Sequence, residues 1–146
     1  MNYSKIIHET DNFIVAIANP PHIDRLDGGH IVIISRNEYK SFDEMPVELA
    51  QEMIVLGQRT GRLLKSILTG NGVEIGIVNY QINGNWSVLS LNKDPIHMHI
   101  YGRAVHATHQ KFGEALHFPN PGTGFYDGFQ PISELEANKI AEGLAR

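Results

Sequence analysis

Short apolar runs rich in β-branched residues alternate with turn residues along most of the chain. NFIVAIA at residues 12–18 stops at NPP, HIVII at residues 30–34 follows two glycines, and VEIGIVNY at residues 73–80 runs into QINGNW. Runs of this kind, bounded by Gly, Pro and Asn, are typical of β-strands. We therefore predict three strands here and two more, one in WSVLSL at residues 86–91 and one around PIHMHI at residues 95–100.

From Pro46 the apolar spacing changes to a helical period. Six positions step by three or four and share one helix face: Leu49, Met53, Leu56, Thr60, Leu63 and Ile67. We predict one long helix from Pro46 to Thr69, ended by a following glycine. Strands that succeed one another without helices pair antiparallel. The pattern thus predicts an α+β domain with an antiparallel sheet of about five strands and the long helix packed on one side.

The chain after the last predicted strand has a different character. Residues 104–130 contain FPNPGTGFYDGF, which is rich in Gly, Pro and aromatic residues, and we expect an ordered surface loop there. Ser133 followed by Glu136 is a capping box, which predicts a short terminal helix. We predict a single domain over residues 1–146.

Composition narrows the classes of partner. The 146 residues are 42% hydrophobic and 19% charged, carry a net charge of −4, and contain no run of Lys or Arg, so polymeric nucleic acid is not an expected partner. Since the chain has no cysteine, thiolate zinc sites and cysteine nucleophiles are excluded. MNYSKIIHETDNF at the N-terminus lacks a long apolar run, so we expect no membrane span and a cytoplasmic location.

The stretch whose side chains are best suited to catalysis is DPIHMHIYGR, residues 94–103. Residues two apart on a strand point to the same face, so His97 and His99 project together while Met98 faces the opposite side. Imidazole acts as nucleophile, acid or base near neutral pH, so the pair has the side chains for catalysis. Two half-exposed histidines on a solvated sheet face are the alternative interpretation.

Three segments in order carry a resemblance to a known family. GGHIVIISRNEYKSFDEMP, the long helix with VEIGIVNY after it, and PIHMHIYGR together resemble the histidine triad (HIT) superfamily of nucleotide hydrolases and transferases. The resemblance implies a HIT-like core at about residues 6–103 and a C-terminal extension at residues 104–146. It also implies a homodimer, for which Gly57 and Gly61 would permit close helix contact.

The resemblance assigns roles to the histidines. Counted back from Arg103, His99 takes the place of the third triad histidine, His97 that of the second, and Pro95 that of the first. It implies that His97 attacks a purine nucleotide conjugate, either a dinucleoside polyphosphate or a nucleoside phosphoramidate, and forms a nucleotidyl-histidine that water cleaves. His99 would assist at the phosphate or the leaving group. Pro95 departs from the pattern, which makes the rate of turnover the open question.

The same resemblance suggests further positions and the ligands of the site. The expected substrate-binding residues are Asn19, His30, Asn79, Asn85, Asn92 and Arg103. Ser87 lies in the same loop region, and Trp86 either stacks on a base or fills the core. No cofactor is expected, although a divalent cation such as magnesium is compatible with a polyphosphate substrate. His30 also fits a hydrogen-bonded core histidine, and Arg103 fits a partner of a surface carboxylate.

Two other functions remain open at this stage. His97, His99, His106 and His109 lie within thirteen residues and offer nitrogen ligands that suit zinc. The second open function is that of a nucleotide-binding protein that has lost catalytic turnover and in which HMH no longer acts in catalysis.

Overall fold

The computed structural model describes residues 2–84 and 94–146. Its elements run in the order β1 (Tyr3–Glu9), β2 (Phe13–Ala18), β3 (His30–Ser35), α1 (Val47–Gly70), β4 (Ile75–Gln81), β5 (His97–Ala104) and α2 (Glu134–Leu144). The strands form one sheet in the order β1-β2-β3-β5-β4, and every neighbouring pair is antiparallel. The predicted α+β class and the five-stranded antiparallel sheet are confirmed.

The identity of one strand differs from the prediction. β1 was not predicted, because YSKIIHE is an edge strand whose residues are mostly exposed and whose pattern therefore lacks an apolar run. The strand predicted in WSVLSL falls in residues 85–93, outside the described residues. Bulges interrupt the register between β1 and β2, which blurs the period-two signal further.

Helix α1 begins one residue after Pro46 and ends at Gly70, close to the predicted bounds. Its buried stripe includes Met53, Leu56, Leu64 and Leu68, which pack on the sheet.

The two glycines of α1 allow this packing within the chain. A Cβ atom at Gly57 would lie 2.6 Å from Sδ of Met98, and one at Gly61 would overlap the Tyr80 hydroxyl. The close approach that these glycines permit is therefore made inside the chain, against β5 and β4.

The sheet has two distinct faces. Ile31, Ile33, Met98 and Ile100 belong to the core beneath α1. On the opposite face lie the histidines of β3 and β5, and next to them a separate small apolar cluster formed by Ala16, Ala18, Val32 and Ile34. The candidate chemistry is thus confined to the side of the sheet that α1 does not cover.

The C-terminal extension is irregular, as predicted, but firmly attached. It carries a short 3-10 turn at Pro121–Thr123 and then α2, whose capping box of Ser133 and Glu136 is present with both hydrogen bonds. Helix α2 packs against α1 and β1. No helix among the described residues has the length and apolar character needed to cross a membrane.

Candidate active site on the open face of the sheet

Strand register places the histidines of β5 opposite apolar residues of β3. His97 pairs with Ile34, His99 pairs with Val32, and their side chains share one face as the alternation predicts. The two rings meet edge to face with centroids 4.7 Å apart. His97 is half-buried and His99 is only 4% exposed.

The tautomer of His97 is set by the main chain. Its Nδ1 atom lies 2.8 Å from the carbonyl oxygen of Pro95, an acceptor that has no proton to give. The His97 proton therefore sits on Nδ1 and the lone pair on Nε2. An imidazole with a lone pair on Nε2 is in the form required of a nucleophile.

The tautomer of His99 follows from a chain of two hydrogen bonds through His30. The backbone N–H of His22 donates to Nδ1 of His30 at 3.1 Å, so the neutral His30 ring carries its proton on Nε2. That Nε2–H lies 2.9 Å from Nδ1 of His99, which must accept. His99 consequently carries its own proton on Nε2 and is a hydrogen-bond donor there.

His22 also lies in this group of imidazoles, although no pattern in the sequence predicted it. Its ring centroid lies 4.7 Å from that of His30 and 5.3 Å from that of His99, and its Nδ1 lies 2.9 Å from the hydroxyl oxygen of Tyr101. The residue sits in the loop between β2 and β3, where no periodic pattern indicates which way a side chain points. A histidine directly after Pro20 and Pro21, on the approach to β3, was the available signal.

The loop that carries His22 is held against β5 by a backbone contact between two glycines. Gly28 has a φ of 134°, and a Cβ atom on either Gly28 or Gly102 would overlap the carbonyl oxygen of the other. Only residues without a side chain allow these two backbone segments to approach so closely. This contact fixes where β3 begins and hence where His30 lies.

The buried imidazoles of the group are neutral at physiological pH. Burial, with the neighbouring His97 as a smaller cause, lowers the pKa of His22 to about 4. Burial, followed by His97 and His22, lowers the pKa of His99 to about 2. Burial holds the pKa of His30 well below its ordinary value, and adjacent imidazoles add to the effect. Since low-dielectric surroundings disfavour the imidazolium form, each ring presents one N–H and one lone pair.

The extension is attached to the site by a buried carboxylate. Asp27 accepts hydrogen bonds from the backbone N–H groups of Thr108, His109 and Gln110 at 2.9, 2.7 and 2.9 Å. Burial opposes ionisation of Asp27, but these three donors outweigh it and lower the pKa of the carboxyl. The loop that precedes His30 and the loop that follows β5 are thereby joined.

Arg103 and Asn79, both expected to bind substrate, are hydrogen-bonded to each other in this structure. Nη1 of Arg103 donates to Oδ1 of Asn79 at 2.8 Å, and Nη2 donates to the carbonyl oxygens of Lys111 and Glu114 at 3.0 and 2.7 Å. Arg103 is buried, and its Nε has no hydrogen-bond partner among residues 2–84 and 94–146. The contacts of both residues in this structure hold the extension in place.

The remaining expected positions differ in their surroundings. Asn19 is exposed, and its backbone N–H donates to the carbonyl oxygen of Asn2 at 3.2 Å. No hydrogen bond within residues 2–84 and 94–146 links its side chain to the histidines. Asn85, Ser87, Asn92 and Trp86 lie outside the described residues, so their expected roles stay predictions.

Of the four histidines considered as a zinc set because of their spacing, only His99 is among the described residues whose ligand atoms converge. His106 is highly exposed and lies 3.9 Å from a Glu74 carboxylate oxygen, while His109 lies beside Asp27 at 3.5 Å. Where the chain is described, the histidines that offer converging ligand atoms are His22, His30 and His99, with those atoms within 4.8 Å of one another. The short sequence spacing of the histidines does not indicate a shared site, because the chain leaves the sheet after β5 and turns toward Asp27.

Comparison with solved structures identifies the fold. A HIT-like protein involved in cell-cycle regulation from Bartonella henselae, solved with an unknown ligand, matches with a TM-score of 0.60 and 17% identity over 98% of this chain and 87% of that one. A zinc-bound histidine triad family protein from Mycobacterium smegmatis matches with a TM-score of 0.58 and 20% identity over 97% and 86%. A hypothetical histidine triad nucleotide-binding protein from Sulfolobus tokodaii matches with a TM-score of 0.61 and 15% identity over 96% and 83%.

These similarities cover almost the whole chain, including the extension. No family model matches the sequence, and no curated protein matches it either. The class defined by the sheet order, the helix and the three comparisons is the histidine triad fold, as the sequence resemblance predicted.

Proposed function

We propose that the protein is a nucleotidyl hydrolase or transferase that cleaves a purine nucleotide conjugate through a covalent intermediate on His97. The substrate class is a dinucleoside polyphosphate or a nucleoside phosphoramidate. The description of the similar Sulfolobus structure as nucleotide-binding supports a nucleotide as the ligand. His97 is the proposed nucleophile and His99 its assistant.

One observation carries this proposal, namely the hydrogen bond from Nδ1 of His97 to the carbonyl oxygen of Pro95. In this arrangement residue 95 orients the nucleophile through its main chain, which proline supplies as well as histidine. The absence of an imidazole at position 95 therefore leaves the orientation of His97 intact. The same acceptor stabilises the positive charge that the ring acquires when Nε2 bonds to phosphorus.

The proposed reaction has two displacements. Nε2 of His97 attacks the α-phosphorus, the bond from phosphorus to the leaving oxygen or nitrogen breaks, and the leaving group departs with the electron pair and takes a proton from solvent. Water then attacks phosphorus, the P–N bond breaks, the electron pair returns to Nε2, and the water proton is released to solvent. His99, with its proton on Nε2, donates a hydrogen bond to a phosphoryl oxygen in both steps.

The chemistry proposed for these residues requires no resident cofactor. A divalent cation such as magnesium would accompany a polyphosphate substrate by binding its phosphate oxygens. The proposed location is the cytoplasm, and polymeric nucleic acid is not proposed as a partner.

A homodimer is part of the proposal. Within the part of the chain that the structure describes, strand β4 lies at an edge of the sheet and exposes Ile77 and Tyr80, while α1 exposes Val47, Ile54 and Val55. Unpaired edges and exposed apolar side chains favour association. Light scattering of the full chain tests this point, with a monomer for Ile77→Lys and a dimer for the unaltered protein as the expected pair of results.

The experiment that tests the enzymatic proposal is to trap the intermediate. The protein is mixed with an adenosine phosphoramidate carrying labelled phosphorus, quenched in alkali to preserve phosphoramidate bonds, digested and mapped. We expect labelled AMP on the peptide containing His97 and none in His97→Ala. An adduct at another residue would overturn the assignment. AMP binding without adduct or turnover would establish the alternative, a non-catalytic nucleotide binder.

Zinc binding is a second candidate, supported by the converging ligand atoms of His22, His30 and His99 and by the zinc-bound state of one similar structure. Three nitrogen donors suit zinc. The hydrogen-bonded arrangement does not, since Nε2 of His30 carries a proton directed at His99 and would have to lose it. Metal analysis of protein purified without a histidine tag tests this candidate, and one zinc per chain, abolished in His30→Leu, would support it.

A further inference from the structure

We propose that His22 is a substrate-contacting residue of this site, which binds the transferred phosphoryl group beside His99, and that Tyr101 is its positioning residue. The inference rests on the proposed function and deepens it. It also gives the C-terminal extension a part in the active site.

His22 lies next to the other two imidazoles of this group. Its ring lies beside those of His30 and His99, with ring centroids 4.7 Å from His30 and 5.3 Å from His99. A ligand atom of His22 lies within 4.8 Å of those of both rings. The oxygens of a phosphoryl group accept hydrogen bonds of about 2.8 Å, so a phosphoryl group at His99 falls within reach of His22.

Two contacts hold His22 in this orientation. Its backbone N–H is bound to His30, and its Nδ1 lies 2.9 Å from the Tyr101 hydroxyl oxygen. Burial raises the pKa of Tyr101, so the phenol stays protonated and can donate to Nδ1. With Tyr101 as donor, the proton of His22 resides on Nε2, which makes that atom a hydrogen-bond donor of the same kind as Nε2 of His99.

The C-terminal extension supplies the other side of the His22 ring. Phe118 and Tyr126 lie 5.4 and 5.9 Å from it by ring centroids, and Phe118 also lies 5.1 Å from Tyr101. These aromatic residues limit the directions in which the imidazole can turn.

The segment that carries Phe118 is itself fixed. Gln110 donates to and accepts from the backbone of His117 at 2.6 and 3.0 Å, and Asp27 fixes the backbone of Gln110. The extension therefore presents Phe118 to His22 on a loop anchored at both Asp27 and β5, rather than on a loose tail.

The chemical consequence is a phosphoryl group held by two imidazole donors instead of one. Negative charge on the equatorial oxygens must be stabilised during transfer, and preorganised donors do this without reorganisation. Removal of one such donor lowers kcat by about 10²–10³-fold.

The test compares four forms of the full chain: unaltered, His22→Asn, Tyr101→Phe, and the double variant. His106→Asn is the matched control, because it removes a highly exposed imidazole outside the site. The rate of AMP-adduct formation and the dissociation constant of AMP are measured for each. We expect His22→Asn to slow adduct formation by about 100-fold and to weaken AMP binding less, and the control to match the unaltered protein.

Tyr101→Phe distinguishes positioning from packing. If Tyr101 acts through His22, its substitution slows adduct formation in the unaltered background and has no further effect in His22→Asn. Additive effects of the two substitutions would overturn the positioning role. Equal adduct rates in His22→Asn and the unaltered protein would overturn the contact with substrate.

A measurement on the unaltered protein tests the contact between His22 and AMP without requiring any variant to fold. In protein labelled with ¹⁵N-histidine, addition of AMP is expected to shift the ring nitrogen resonances of His22 together with those of His99. A shift of His99 alone would overturn the proposal. AMP binding without an adduct at His97 would refute the proposed reaction alone, since the affinities and shifts still decide the His22 contact, whereas no AMP binding would refute both.

Discussion

Nδ1 of His97 lies 2.8 Å from the carbonyl oxygen of Pro95, so the residue at position 95 orients the histidine through its backbone. Proline lacks a backbone N–H but retains its carbonyl, and it stands just before β5, outside the ladder where a donor would be required. The proline that the sequence resemblance aligns with the first triad histidine thus provides the one contact that fixes the tautomer of the proposed nucleophile.

Pro95→Ala is expected to retain the rate of adduct formation at His97 to within about tenfold, a difference of about 1.4 kcal/mol. The reason is that alanine supplies the same carbonyl acceptor. Pre-steady-state labelling with an adenosine phosphoramidate measures this rate, and His97→Ala serves as the inactive reference. A loss in Pro95→Ala as complete as that in His97→Ala would mean that the proline ring, rather than the carbonyl, is needed.

His30→Leu is expected to destabilise the fold and to slow the proposed reaction. Leucine fills the buried space but leaves the His22 N–H and Nδ1 of His99 without their partner, at a cost of about 1–3 kcal/mol for each orphaned group. Urea unfolding measures the free energy, and adduct formation measures the activity. Unchanged stability would show that water or another group replaces His30 at no cost.

The sequence predicted the face on which His97 and His99 lie, but it did not predict that His22 lies beside them. Period-two alternation in HMH and the single long helix are local signals, and both survive in the structure because the apolar residues of the alternation pack in the core beneath α1. His22 is brought to the site by the contact between Gly28 and Gly102, which are distant in sequence. No local pattern encodes such a contact.

The contacts of the polar residues could not be predicted for a similar reason. The family resemblance suggested Asn79 and Arg103 as substrate-binding residues, and that assignment stays a prediction. Whether they face a ligand or each other depends on the extension, whose carbonyl oxygens at Lys111 and Glu114 accept from Arg103. An irregular loop offers no periodicity from which its backbone acceptors could be placed.

The stability of the protein is expected to fall as the pH drops below about 6.5, the ordinary pKa of histidine. His22, His30 and His99 have lowered pKa values in the folded state, so between that pH and their folded values the unfolded chain binds protons that the folded chain does not. Their stabilisation is therefore present above about pH 6.5. It is lost progressively toward about pH 4 for His22 and about pH 2 for His99.

Urea unfolding at about pH 7.5 and about pH 5 measures this dependence. Each buried neutral histidine contributes a slope of at most about 1.4 kcal/mol per pH unit. His22→Asn removes one such group and is expected to give a shallower dependence, while His106→Asn keeps that of the unaltered protein. A free energy of unfolding that is the same at both pH values would contradict the neutral state of the buried rings.

Glu136→Gln is expected to destabilise the protein by about 3 kcal/mol, because it leaves Arg25 without its carboxylate partner. Glu136 is fully buried and accepts from Nη2 and Nε of Arg25 at 2.5 and 2.7 Å, and also from Ser133 and Asn71. Burial works against ionisation, but these donors outweigh it and lower the pKa of Glu136 to about 2. The pair joins α2 to the loop that leads to His30.

Urea unfolding of Glu136→Gln against Glu134→Gln gives a matched comparison. Glu134 lies on the same helix, but it is exposed and 3.8 Å from Lys5, so its substitution is expected to change the free energy by less than about 1 kcal/mol. Since the pKa of Glu136 is lowered, its contribution persists above the ordinary glutamate pKa and is lost only as the pH falls from there toward about 2. The difference between the two variants should therefore be constant from about pH 7.5 to about pH 5. Equal stability of the two variants would mean that the link between α2 and the His30 loop does not depend on this ion pair.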